Sequence, residues 1–167
     1  MVLGISLETY TLIHTVISLV MLVSGFIVVF GMLGSDRPGG WTALFLLTAV
    51  LTSVTGFGFP FTTLLPSHIV AIISLVVLAV TIPALYLFHL AGPWRWIYVI
   101  GVVLALWFDV FVAIVQAFLK IPALTPLAPT QSEPPFAIAQ GAALVILVVL
   151  GIAAAIKFHP GEAHAPA

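Results

Sequence analysis

Cysteine is absent from the chain, which excludes disulfide bonds, thiolate metal sites and cysteine nucleophiles together. Charged residues are scarce as well, at 5% of the sequence against 63% hydrophobic residues. A soluble domain carries about 25% charged residues, so this chain lacks the material for a water-facing shell, and we expect lipid to be most of its solvent. Its net charge of -1 provides no basic surface, so we expect no nucleic-acid partner.

Motifs of soluble enzymes are also missing from the sequence. It contains no phosphate-binding Gly-rich motif, no G-x-S-x-G and no H-E-x-x-H, which favours a protein that is not an enzyme. The first charged residue is Glu8, and the apolar run that follows is too long for the core of a signal peptide. We therefore expect the first apolar segment to stay in the membrane.

Long apolar segments are what the sequence does contain. A helix that crosses the hydrocarbon core needs about 20 residues, and five segments come close to or exceed this length: 10–33, 41–59, 67–90, 94–119 and 136–157. Breaks rich in Gly or Pro separate them, including a Pro-rich loop from 121 to 135. We predict an all-α, polytopic integral membrane protein with five transmembrane helices in one bundle (residues 1–158) and a disordered cytoplasmic tail (159–167).

Basic residues predict the direction of threading, because cytoplasmic loops are enriched in Lys and Arg. Arg37, Arg95 and Lys157 fall on one face of a five-span arrangement, and Lys120 falls on the other. The face with three basic residues is predicted to be cytoplasmic. The N-terminus would then lie outside and the C-terminus inside, in a multi-pass protein of the plasma or inner membrane.

Asp109 lies inside the fourth apolar segment. An ionised carboxylate at the bilayer centre costs at least ~2.5–3.5 kcal/mol, so this side chain requires a hydrogen-bond partner, a cation or water. Gln116 and Lys120 follow on the same helical face. Asp109 would lie roughly 15 Å below the outer end of its span at 1.5 Å per residue. The pattern predicts a polar line from the outer surface to a mid-membrane acid.

Polar residues of other spans are predicted to meet this line. Thr11, His14, Ser18, Met21 and Gly25 share one face of the first span. We predict an outward-facing pocket lined by spans one, three, four and five. Its ligand or proton site would contain Asp109, His14, Gln116 and Gln140, and its mouth would be formed by His68 and Lys120.

Ordinary helix packing offers a competing interpretation of the same residues. Ser, Thr, Ala and Gly let membrane helices approach closely. A neutral Asp109 would bond to a backbone carbonyl or to a threonine of span two. Gln116 and Gln140 would bond to each other, and the histidines would lie at the membrane boundary.

Three classes of function remain open at this point. His14 and His68 lie at similar depths on different spans, and they are the candidate ligands of a b-type haem or a metal ion. The deep acid instead suits a proton- or cation-coupled transporter or channel subunit. The Pro-rich loop suits an accessory subunit, with a homo-oligomer or other membrane subunits as partners. We favour an accessory or ligand- or haem-binding component of a larger membrane system, with the coupled subunit as the alternative.

Overall fold

The computed structural model describes residues 2, 4–60 and 66–159. In this part of the chain five long helices follow one another: α1 (Leu7–Leu33), α2 (Gly39–Gly56), α3 (Pro66–Tyr86), α4 (Pro93–Lys120) and α5 (Pro134–Lys157). Each contains an apolar stretch long enough to cross a membrane. The predicted all-α, multi-pass helical bundle is therefore confirmed, whereas the orientation of its termini stays a prediction.

The helices differ from the predicted spans mainly at their ends. α1 begins three residues before the predicted span, and α2 ends at Gly56, three residues before its predicted end. α3 ends at Tyr86 because His89 and Leu90 have φ angles of 48° and 61°, which a right-handed helix does not contain. The predicted tail lies outside the described residues from position 160 onward.

The first four helices pack in a ring. Each contacts the next along the chain, and α4 returns to contact α1. α5 lies outside this ring, against α1 and α4, and most of its surface is exposed apolar side chain. α4 is the central helix, with a buried face that includes Tyr98, Val102, Ala105 and Asp109 at 4-3-4 spacing. The acid therefore continues the buried stripe of α4 and points into the bundle.

A glycine on α1 lets three helices of the ring meet closely. A Cβ added at Gly25 would lie 2.8 Å from side-chain atoms of both Leu106 on α4 and Phe45 on α2. Phe45 and Leu106 are themselves fully buried. At this level apolar side chains fill the ring on the Arg95 side of Asp109. Nearer Arg95 the buried residues also include Thr42 and Tyr98.

α5 is held to α4 by Arg95. One guanidinium nitrogen, Nη1, donates to the carbonyl oxygens of Ala155 at 3.0 Å and Phe158 at 2.6 Å. The last carbonyls of a helix have no partners within the helix, and hydrogen bonds from a charged donor are stronger than neutral ones. Arg95 therefore satisfies the C-terminal end of α5.

A polar cavity between the first four helices

A cavity of about 90 Å³ lies inside the four-helix ring. Its polar lining is made of one imidazole, one carboxyl group and several hydroxyl groups, while Gly, Ala, Val, Met and Phe complete the wall. The lining residues are His14, Ser18 and Met21 of α1; Thr52, Ser53 and Gly56 of α2; Ser67, Val70, Ala71 and Ser74 of α3; and Phe108, Asp109 and Val112 of α4. Such a volume accommodates a few water molecules or a small ion.

The carboxyl group of Asp109 is the most deeply buried charged group of the cavity. The residue is 5% exposed. Ser18 Oγ donates a hydrogen bond to Oδ1 at 2.8 Å, whereas Oδ2 is buried and has no hydrogen-bond partner among the described residues. Thr52 Oγ1, which lies in the wall of the same cavity, is also buried and has no hydrogen-bond partner among the described residues. Since buried polar atoms are nearly always bonded, these two oxygens require a hydrogen-bond partner or a cation.

The cavity reaches from one end of the bundle to mid-membrane depth. Asp109 lies eleven positions before Lys120 at the end of α4, and Ser18 lies eleven positions after Leu7 at the start of α1. Both residues therefore lie roughly 16 Å from that end, which is about half the thickness of a ~30 Å hydrocarbon core. The last residue of α2, Gly56, and Ser67 near the start of α3 line the shallow part.

His14 lies in the shallow part of the cavity and is hydrogen-bonded to Thr55 of α2. Its Nδ1 is 2.7 Å from Thr55 Oγ1, and the Thr55 hydroxyl donates to the Leu51 carbonyl at 2.7 Å. A hydroxyl has one proton to give. If the Thr55 proton goes to Leu51, Nδ1 of a neutral ring carries the proton and donates to Thr55, and Nε2 is then an acceptor. In that tautomer His14 offers the lone pair of Nε2 as an acceptor.

Thr55→Val is expected to destabilise the protein by about 0.5–1.5 kcal/mol, because Nδ1 of the partly buried His14 loses its hydrogen-bond partner. The free energy of unfolding in detergent micelles would measure the effect. Thr11→Val is the matched control, since among the described residues the Thr11 hydroxyl bonds only to the Leu7 carbonyl of its own helix, at 2.8 Å. Equal losses in the two variants would show that the contact between His14 and Thr55 contributes nothing.

Of the six residues predicted to form the site, the cavity brings together His14 and Asp109. Gln140 Nε2 donates to the Phe111 carbonyl of α4 at 3.1 Å and does not line the cavity. His68 is buried and stacks on Phe57, with ring centroids 5.6 Å apart. The remaining two predicted residues are exposed outside the cavity wall: Gln116 and Lys120.

The sequence predicted that α5 would form part of the cavity wall. In the structure α2 lies on that side of Asp109 instead. α5 packs on the outside of α1 and α4 and does not reach the centre of the ring. Thr52 and Ser53 of α2 and Ser74 of α3 take the places expected for the glutamines, and Ser53 Oγ donates to Ser74 Oγ at 3.2 Å. Sequence-based reasoning treated these hydroxyl residues as helix packing.

The geometry gives no support to a haem or a transition-metal centre at His14 and His68. His68 does not line the cavity, and within the described residues no group of three or more His, Cys, Asp or Glu side chains is placed to hold a metal ion. The cavity is also much smaller than the roughly 300–1,000 Å³ of pockets for organic ligands. What the arrangement does provide is one carboxyl group among hydroxyl oxygens.

Comparisons with protein-family models, with curated protein sequences and with solved structures found no match to this chain. The function of the cavity must therefore be inferred from its own chemistry.

Proposed function

We propose that this membrane protein binds a small monovalent cation at Asp109, within a cavity that is open to one face of the membrane. The observation that supports this is the Asp109 carboxyl group. One oxygen is held by Ser18 at 2.8 Å, and the other is buried without a hydrogen-bond partner in the described part of the chain. A carboxylate buried at this depth needs a positive charge beside it.

The donor set of the cavity favours a hard monovalent cation. Hard cations take oxygen ligands, and the cavity supplies the Oδ2 of Asp109 and the hydroxyl oxygens of Thr52 and Ser53. A single carboxylate neutralises one positive charge, so a monovalent ion leaves no excess charge in the membrane. By binding Oδ1, Ser18 orients the carboxyl group and leaves Oδ2 for the ion.

The cation enters and leaves by the same face in this arrangement. The cavity reaches the ends of α2 and α3, and in the other direction the buried stripe of α4 is apolar at Val102, Ala105 and Leu106. A one-sided site suits a binding or sensing component of a larger membrane system better than a pore. By the distribution of basic residues, the open face is the predicted outer one.

Cation-dependent stability of the purified protein tests this function. Unfolding would be followed in nanodiscs with Li⁺, Na⁺, K⁺ or ammonium chloride, and choline chloride would keep the ionic strength equal. At least one small cation is expected to stabilise the protein, by about 2.7 kcal/mol at a concentration of 100 Kd. Choline is too large for a cavity of about 90 Å³ and serves as the inert control. Identical stability in all five salts would refute the proposal.

A proton is the second candidate occupant, favoured by a second titratable side chain, His14, in the lining of the same cavity. A protonated Asp109 would donate from Oδ2 and would carry no charge into the membrane. Infrared spectroscopy distinguishes the two occupants through the C=O stretch of a protonated carboxylic acid. If this band is lost in Asp109→Asn but persists in the presence of every small cation, the occupant of the site is a proton and not a metal or ammonium ion.

A further inference from the structure

The lipid-facing seam between α4 and α5 contains a second cavity, which shares no residue with the Asp109 site. This groove has a volume of about 370 Å³, and apolar side chains form nearly all of its wall. Trp96 and Leu104 mark its extent on α4, and Val148 and Ile156 mark it on α5. The ends are eight positions apart on each helix, which gives a length of roughly 12 Å. That length is close to one leaflet, about half of a ~30 Å hydrocarbon core.

Small residues on α5 create the groove. Gly151 and Ala155 lie in its wall, where larger side chains would fill the space between the helices. A Cβ added at Gly151 would lie 3.1 Å from Val103 of α4. The two backbones therefore approach at Gly151, and the longer side chains on either side form the rims.

A positive charge lies at one end of the groove. The guanidinium carbon of Arg95 is 4.5 Å from the centroid of the Trp96 ring, and its Nη1 bonds to the Ala155 carbonyl at 3.0 Å. Trp96 and Ala155 both line the groove. These partners of Arg95 are a ring and a neutral carbonyl oxygen, so its charge is not neutralised by them. Lys157 follows the lining residue Ile156 and is exposed at the same end.

We propose that the groove binds one acyl chain of an anionic phospholipid from the leaflet on the Arg95 side, with its phosphate group beside Arg95 and Lys157. An apolar channel one leaflet long that ends at two cations matches the shape and charge of such a lipid. Basic pockets between transmembrane helices are known to bind anionic headgroups. This inference is independent of the Asp109 site, since the two cavities have no residue in common.

Quenching of Trp96 fluorescence by brominated lipid tests the site. A variant that keeps Trp96 and carries Phe at Trp41, Trp94 and Trp107 would be placed in phosphatidylcholine nanodiscs. Brominated phosphatidylglycerol or brominated phosphatidylcholine would then be added at the same mole fraction. We expect the anionic lipid to quench at a concentration lower by on the order of fivefold for each basic residue engaged. Equal quenching by the two lipids would overturn the proposal.

Ile152→Phe is designed to fill the groove and to remove the preference for phosphatidylglycerol. Ile146→Phe is the matched control, because Ile146 lies on the same helix, is 56% exposed against 57% for Ile152, and does not line the groove. The control is expected to retain the preference. Loss of the preference in both variants, or in neither, would contradict an acyl chain in this groove.

Charge variants test the headgroup end. Lys157→Gln and Arg95→Gln are each expected to lower the preference for phosphatidylglycerol about fivefold. Lys157→Gln is the decisive variant if Arg95→Gln fails to fold, because Arg95 also holds the end of α5. A second copy of the chain is the competing occupant. Efficient disulfide formation between single Ile152→Cys residues, in a chain without other cysteines, would identify that copy and exclude the lipid.

Discussion

Asp109→Asn is expected to abolish the cation-dependent stabilisation of the protein and to leave the bundle folded. Asparagine has nearly the same shape as aspartate, and its amide oxygen still accepts the hydrogen bond that Ser18 donates to Oδ1. It lacks the charge that balances the ion. The wild-type gain of about 2.7 kcal/mol at 100 Kd should therefore fall to nearly zero, which corresponds to a loss of affinity of at least about a hundredfold.

The measurement is the unfolding free energy of wild type and variant across the series of chloride salts. Glu133→Gln is the matched control, since it makes the same carboxylate-to-amide change in the loop before α5, outside the cavity. Glu133 is held by Thr130 and Ser132 in that loop, so only local contacts change. The control is expected to respond to cations as the wild type does. A full response in Asp109→Asn would mean that the ion binds elsewhere.

The spans and the acid were predictable because both are local properties of the sequence. The length of an apolar segment identifies a membrane helix without knowledge of its neighbours. A carboxylate inside such a helix indicates a site because of the free-energy cost of placing it in the membrane. The 3-4 spacing on the first span also identified a real face, since His14, Ser18 and Met21 all line the cavity. None of these inferences depends on how the helices are arranged around one another.

The partners of Asp109 were less predictable because they depend on that order. α5 follows α4 in the chain and contacts it, but the ring closes through α1, so Gln140 lies outside and bonds to the Phe111 carbonyl. Gln116 lies seven residues beyond Asp109 on nearly the same face, yet it is exposed, whereas Phe118 at the same level is buried and contacts Phe136 of α5. Helical spacing predicts the direction in which a side chain points. Whether another part of the protein covers that side chain depends on the tertiary structure.

Gly101→Val is expected to lower the free energy of unfolding by roughly 1–3 kcal/mol or more, because the contact between α3 and α4 leaves no space for a side chain there. A Cβ at Gly101 would overlap Thr81 Oγ1 and lie 2.9 Å from Thr81 Cβ. Thr81 is 1% exposed, and its hydroxyl donates to the Val77 carbonyl at 2.7 Å. Its β-branched side chain is stiff, so relief requires the helices to separate.

Reversible unfolding in detergent would measure this loss against Gly141→Val as the control. A Cβ at Gly141 would meet no atom of the described residues within 4 Å, although Gly141 also lies inside a long helix. The control variant undergoes the same change in helix propensity from glycine to valine, without the clash between α3 and α4. Adding Thr81→Ala to Gly101→Val should recover part of the loss, because the methyl group of alanine frees the space that Oγ1 occupied. Equal losses at positions 101 and 141 would assign the effect to the valine itself and not to the approach of α3 and α4.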